Sequence, residues 1–158
     1  MKVAIVVGTV SGNAHLLAET VVEWLAERGH EGEILGTGAL PRHVLGRDGL
    51  LAITSTCGNG ELPETIQPFA SALAGTALAD LACGVIGLGD SLYGDSYSRG
   101  GKTMAQLLTT AGGTMLLPPL DIDAGSHPRP EVPAGPWLDS WLEALEKHPR
   151  RNDGGGRS

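Results

Sequence analysis

Three glycine-rich loops hold most of the residues of this chain that could bind a ligand. Each follows a short apolar segment of the kind that forms a buried strand. The loops span residues 8–14, 55–61 and 87–95, and they read GTVSGNA, STCGNGE and GLGDSLYGD. Because the carboxyl ends of parallel strands form the ligand crevice of an open α/β sheet, we expect the three loops to meet at one site. Backbone amides, hydroxyls and small side chains at such an edge suit a phosphate and a flat ring.

The first loop joins a predicted strand to the start of a predicted helix, where unpaired amides and the helix dipole attract an anion. Thr9, Ser11 and Asn13 add side-chain donors, and the loop contains no Lys or Arg. It lacks the Gly-Lys-Ser/Thr ending of a nucleoside triphosphate loop, and its Gly8 and Gly12 do not match the G-x-G-x-x-G dinucleotide pattern. Taken alone, this loop also fits a plain strand-to-helix turn with a Ser or Asn cap.

The second and third loops combine adaptable backbone with the only two tyrosines of the chain. Gly58 and Gly60 flank Asn59, and glycine lets the backbone approach a flat ligand closely. Tyr93 and Tyr97 lie within and just after the third loop. An aromatic ring in such a loop either covers a ligand or packs on the loop itself, and we favour stacking on a ligand ring.

Composition restricts the class of protein. The chain has 158 residues, of which 41% are hydrophobic and 18% charged, which is typical of one globular domain with its own core. The formal charge of −7 argues against nucleic acid and is compatible with docking onto a basic protein partner. Cys57 and Cys83 form no disulfide framework and indicate a reducing, cytoplasmic setting. The sequence shows neither a signal segment of the usual kind nor a run of about 20 apolar residues.

The hydrophobic pattern predicts five strands that alternate with helices. We expect strands at 3–7, 33–35, 50–54, 82–88 and 114–117, and helices at 14–28, 63–73, 102–111 and 136–147. Pro118 and Pro119 should end the last strand or place it at an edge. The alternation predicts an α/β fold with a doubly wound parallel sheet and helices on both faces. We expect one domain over residues 1–148 and a disordered tail over 149–158.

Together these features resemble the flavodoxin family, and within it the short MioC-type flavoproteins and the FMN domains of diflavin reductases. The resemblance extends from Lys2 to about Lys147, with the three loops in the family's order and spacing. The segment PWLDSWL at 136–142 is similar to the closing helix of the MioC type. The resemblance implies a flavodoxin-like five-stranded sheet in the order 2-1-3-4-5, with no insertion that splits the fifth strand.

The resemblance also implies which loop binds which part of FMN. The first loop would hold the phosphate without a cationic side chain, through Thr9, Val10, Ser11, Gly12, Asn13 and Ala14. The second would run along one side of the isoalloxazine, through Ser55, Thr56, Cys57, Gly58, Asn59 and Gly60. The third would close the site, with Tyr93 stacked on the other ring face. The ring edge and ribityl chain would be met by Gly89, Asp90, Tyr97 and Ser98.

Family membership would make the protein an FMN electron carrier between a reductase and an acceptor protein, with no catalytic site of its own. In agreement, no general base is evident in the loops, since His15 in the first turn of the helix is best interpreted as a surface residue. The resemblance further implies that the peptide near Gly58 turns over on reduction of the flavin. Cys57 stands where many relatives have an aromatic residue, so one ring face would be less covered here.

Five carboxylates are candidates for an acidic rim around the site: Glu61, Glu64, Asp90, Asp95 and Asp123. They would disfavour added negative charge on the flavin and attract a basic partner, although they also fit an ordinary solvated surface. Three other functions remain open from the sequence. They are an FMN-dependent NAD(P)H:quinone or flavin reductase, a non-redox interaction protein that has lost flavin, and a protein that uses Cys57 as a redox-active thiol.

Overall fold

A computed structural model describes residues 1–9, 12–56, 61–89, 99–123 and 129–149. Four helices occur in this part of the chain: α1 (Asn13–Glu27), α2 (Gln67–Ala72), α3 (Arg99–Thr110) and α4 (Glu131–Lys147). The strands are β1 (Lys2–Gly8), β2 (Glu31–Ile34), β3 (Gly49–Ser55), β4 (Ala82–Gly89), β5 (Thr114–Met115) and β6 (Leu120–Asp123). Short 3₁₀ turns lie at Pro41–His43 and Leu73–Gly75.

The described strands form one parallel sheet in the order β2-β1-β3-β4-β5, with β6 also paired to β4. This confirms the predicted order 2-1-3-4-5. The pairing of Gly8 with Thr54, and of Ser55 with Leu88, brings the ends of β1, β3 and β4 level at the carboxyl edge. The three glycine-rich loops therefore leave the sheet side by side.

The last strand differs from the prediction. Pairing along β4 stops at Met115 and resumes over Leu120–Asp123, whereas the sequence predicted a single strand over 114–117. Pro118 and Pro119 lie in the break, and because proline donates no N–H they cannot continue the hydrogen-bond ladder. Beyond them the chain returns to β4, and the resulting strand β6 carries two aspartates to the carboxyl edge.

Helices cover both faces of the sheet, as predicted. On one face, aliphatic side chains of α1 such as Val21 and Leu25 share a core with Leu138 and Trp141 of α4. The other face is covered by α2 and α3, and the predicted stripe there is buried: Ile66, Phe69, Ala70 and Leu73. In the described part of the chain, no helix combines the length and the apolar composition needed to cross a membrane.

All four helices begin at residues other than those predicted: α1 starts one residue earlier and α3 three residues earlier, and the starts of α2 and α4 differ by four and five residues. The predicted start at Pro63 is a turn, closed by the Ile66 N–H donating to the Pro63 carbonyl at 3.1 Å, and α2 begins only at Gln67. Helix α4 begins at Glu131 and contains the predicted start, Pro136, inside it. A proline there removes one intrahelical hydrogen bond, and Pro136 lies on the exposed side of the helix rather than in the core. The predicted tail lies outside the described residues from residue 150 onward.

Candidate functional site

The structure brings the described ends of the three loops to one edge of the sheet. Of the predicted site residues, it describes Thr9, Gly12, Asn13, Ala14, Ser55, Thr56 and Gly89. The other predicted site residues lie outside the described residues: Val10, Ser11, Cys57, Gly58, Asn59, Gly60, Asp90, Tyr93, Tyr97 and Ser98. The described part of the site therefore consists of the ends of the loops and the helices and strands that hold them.

The first loop enters α1 through a glycine in the left-handed region. Gly12 is the N-cap residue with φ of 92°, a conformation that costs little for glycine alone. Its N–H donates to Thr9 Oγ1 at 2.8 Å, which links the start of the loop to the N-cap of α1. Since the Thr9 hydroxyl accepts this bond, its own proton remains available to a ligand.

The N-terminus of α1 has the donors that a phosphate requires. Among the described residues no side chain caps the helix, and its first turn contains no acidic residue. The amides of Asn13 and Ala14 have no intrahelical acceptor, because the first turn of any helix leaves its N–H groups unpaired. His15, which was expected at the surface, is exposed, and its Nε2 lies 3.6 Å from Oε2 of the exposed Glu19 on the same helix. Amides, a hydroxyl and the helix dipole together fit the phosphate of FMN without a cationic side chain.

Two hydroxyl residues fix the start of the second loop. Ser55 Oγ donates to the Gly8 carbonyl at 3.3 Å, which joins this loop to the end of β1. The Thr56 N–H donates to the Leu88 carbonyl at 3.1 Å, which joins it to β4. Thr56 Oγ1 accepts the N–H of Gly100 at 3.0 Å, which joins it to the start of α3. The second loop is thus tied to both of its neighbours.

Glycines let α3 approach this edge closely. A Cβ on Gly100 would lie 2.7 Å from Thr56 Oγ1 and 3.0 Å from the Ser55 carbonyl oxygen. A Cβ on Gly87 would lie 3.3 Å from the Cα of Gly101, so β4 and α3 meet backbone to backbone. Helix α3, which follows the third loop, therefore packs directly against the start of the second loop.

Thr65 is a residue of this edge that the sequence argument missed. Its hydroxyl accepts the Thr9 N–H at 2.9 Å and donates to the Thr9 carbonyl at 3.3 Å. The two residues are 56 positions apart, and neither periodicity nor local spacing relates them. The structure thus ties the first loop to the turn that precedes α2.

Asp121 was missed because β6 was not predicted. Its Oδ1 lies 3.3 Å from the position that a Cβ on Gly87 would take, where β4 leads toward the third loop. Partial desolvation raises the pKa of the Asp121 carboxyl, and the positive charge of Lys102 opposes that shift. Of the five rim candidates, Glu61 and Glu64 are exposed and Asp123 is half-buried, whereas Asp90 and Asp95 lie outside the described residues.

Other features of the described residues lie apart from this edge. A cavity of about 250 Å³ is lined by Arg47, Asp80 and His148 among others, and it lies where β3 and β4 begin rather than where they end. Within the described ranges, no group of three or more His, Cys, Asp or Glu side chains is placed to hold a metal ion. Cys83 is fully buried, and this burial raises the pKa of its thiol to about 12.

Comparison with known proteins agrees with this fold. The model of the family described as "Flavodoxin" matches residues 5–132. The chain is 39% identical over 148 residues to "Flavodoxin YqcA" of Pectobacterium carotovorum subsp. carotovorum, covering 92% of this chain and 97% of that protein. It is 31% identical over 146 residues to "Protein MioC" of Escherichia coli, covering 91% of this chain and 98% of that protein. Among solved structures, a mutant of flavodoxin from Pseudomonas aeruginosa matches with a TM-score of 0.85 and 39% identity, covering 92% of this chain and 99% of that one.

Proposed function

The chain belongs to the flavodoxin family, whose members are FMN-binding electron carriers, and we propose that its three loops form the FMN site. The observation that carries the proposal is the convergence of the loops. β1, β3 and β4 end level. The Ser55 hydroxyl and the Thr56 N–H tie the second loop to the ends of β1 and β4, and the Thr56 hydroxyl ties it to α3. Bound FMN supplies a ring that takes up and releases electrons one at a time.

The first loop is proposed to hold the phosphate. The Thr9 hydroxyl and the amides of Asn13 and Ala14 are the described donors, and Val10, Ser11 and Gly12 complete the loop. The dipole of α1 adds to their attraction because the loop lies at its positive end. Thr9 and Gly12 already bond to each other, which lowers the ordering cost when the anion binds.

The second and third loops are proposed to enclose the ring. Residues from Ser55 to Gly60 line one side. The other side and the ring edge are lined by Gly89, Asp90, Tyr93, Tyr97 and Ser98. The bonds of Ser55 to β1 and of Thr56 to β4 and α3 hold the start of the second loop in place at the edge of the sheet.

An electron carrier exchanges electrons with redox partners, and for this chain we propose a donor reductase and an acceptor that present basic docking faces. The formal charge of −7 and the exposure of Glu61 and Glu64 beside the second loop support this. We place the exchange in the cytoplasm, where the cysteines stay reduced. The rate of electron transfer from a reductase should fall as ionic strength rises.

Charge-neutral variants test the docking proposal. The double variant Glu61→Gln, Glu64→Gln should make the rate of electron transfer from the reductase less dependent on ionic strength. The control is the double variant Glu143→Gln, Glu146→Gln, which removes the same charge from the last turns of α4. It should leave the dependence of the rate on ionic strength unchanged. Equal salt dependence in both pairs would contradict the proposed docking face.

A second experiment separates a carrier from a reductase. We expect the FMN-loaded protein to leave NADPH unoxidised in the presence of a quinone, and to become reduced once a flavodoxin reductase is added. Steady NADPH oxidation by the purified protein with quinone alone would overturn the carrier function. Protein that gives no spectral change with added FMN would overturn the FMN site itself.

A further inference from the structure

We infer that Thr65 is a positioning residue for the phosphate-binding loop and so sets the preference of the site for a phosphorylated flavin. Thr65 lies outside the three loops, and it acts through Thr9. The inference rests on the proposed function, since it concerns the loop to which that proposal assigns the phosphate.

One hydroxyl occupies both backbone polar groups of Thr9. Thr65 Oγ1 accepts the Thr9 N–H at 2.9 Å and donates to the Thr9 carbonyl at 3.3 Å. Bonds to both groups fix the orientation of the peptide units on either side of Thr9. They therefore fix the direction of its side chain, which is a proposed phosphate donor.

Thr65 itself is held firmly. The next residue, Ile66, is 1% exposed and packs against the end of β1. A Cβ on Gly8 would lie 2.7 Å from Ile66 Cγ2 and 3.0 Å from Ile66 Cβ, so only glycine lets these segments lie this close. The contact between residues 65–66 and residues 8–9 is a packed junction, and the Thr65 hydroxyl has little freedom to leave it.

The junction connects to the start of α1 through a short series of bonds. Thr65 bonds Thr9, Thr9 Oγ1 accepts the N–H of Gly12, and the Gly12 carbonyl accepts the N–H of Leu16 at 3.0 Å. The bonds that hold the second loop, from Ser55 to β1 and from Thr56 to β4 and α3, do not involve Thr65. Loss of the Thr65 hydroxyl should therefore disturb the phosphate end of the site and leave the ring end in place.

The test compares FMN with riboflavin, which has the same ring and no phosphate. Thr65→Val keeps the side-chain shape and removes both bonds, and in the full-length protein it should raise the Kd for FMN about tenfold. The Kd for riboflavin should stay within about twofold, because the ring contacts are unchanged. Thr65→Ser keeps the hydroxyl and should retain most of the FMN affinity. The matched control is Thr109→Val, which removes an exposed hydroxyl bonded within α3 to the Ala105 carbonyl at 2.8 Å.

A second measurement needs no flavin. Hydrogen exchange of the Thr9 amide in the full-length flavin-free protein should be about tenfold faster in Thr65→Val than in wild type or Thr65→Ser, because its acceptor is gone. The inference is overturned if this rate is unchanged, if FMN affinity is unchanged, or if FMN and riboflavin weaken equally. Failure of the wild-type protein to bind FMN would instead overturn the proposed function, and the exchange rates would still test the positioning by Thr65.

Discussion

Replacing Gly100 with alanine tests whether α3 must touch the second loop. The added Cβ would lie 2.7 Å from Thr56 Oγ1 and 3.0 Å from the Ser55 carbonyl oxygen. The Thr56 hydroxyl can rotate away only by giving up the 3.0 Å bond from the Gly100 N–H. The carbonyl cannot rotate, because Ser55 is paired with β4 at the end of β3. Either the helix or the loop must therefore move.

The expected cost follows from these two contacts. Overpacking of a tight contact costs about 1–3 kcal/mol, and loss of a partly buried hydrogen bond costs about 1 kcal/mol. Alanine recovers less than about 1 kcal/mol through helix propensity, since Gly100 lies in the first turn of α3. We predict that Gly100→Ala lowers the free energy of unfolding by about 1–4 kcal/mol.

Urea unfolding of the full-length chain measures this change, and Gly135→Ala in α4 is a matched control. A Cβ at Gly135 meets nothing within 4 Å, so the same substitution there faces no steric conflict. The control should gain up to about 1 kcal/mol from helix propensity. If Gly100→Ala proves as stable as Gly135→Ala, the close seating of α3 on the second loop is refuted.

Three further predictions concern other parts of the fold. Ala79→Gly should raise the free energy of unfolding by up to about 1 kcal/mol, because Ala79 and Asp80 have φ of 55° and 71° in a tight turn; a loss of stability in urea would contradict this. The pKa of Asp121 is raised in the folded protein, so folding favours the protonated carboxyl. The stabilisation from this group is therefore fully present below the pKa of the free carboxyl, 3.8, and is lost as pH rises through the folded value. Asp121→Asn should therefore gain stability relative to wild type from acidic to neutral pH, and a pH-independent difference in urea unfolding would count against it. In a Cys57→Ser background, Cys83 should react with an alkylating reagent at mildly alkaline pH only after unfolding, because burial raises its pKa to about 12, and rapid labelling of native protein would show otherwise.

The parallel core was predictable because its signals are local. Short aliphatic runs specify β1, β3 and β4, and the spacing of Leu17, Val21 and Leu25 specifies the buried face of α1. The resemblance to the flavodoxin family added the strand order, which local patterns do not determine. The placement of the loops at strand ends then followed from the geometry of parallel sheets.

Features that depend on distant contacts were not predictable. The return of β6 to the sheet after Pro118 and Pro119 depends on pairing with β4, whereas a double proline read locally signals the end of a strand. The role of Thr65 depends on a partner 56 residues away. Helix α4 contains Pro136 well inside it, whereas a proline read locally indicates the first turn of a helix.

A titration with FMN tests the central claim, that the three loops form one flavin site. Absorbance and flavin fluorescence would be recorded as FMN, and separately riboflavin, is added to the full-length flavin-free protein. We predict a spectral shift that saturates at one FMN per chain, with tighter binding of FMN than of riboflavin because the first loop and α1 hold the phosphate. Absence of a shift, or equal affinity for the two flavins, would contradict the account.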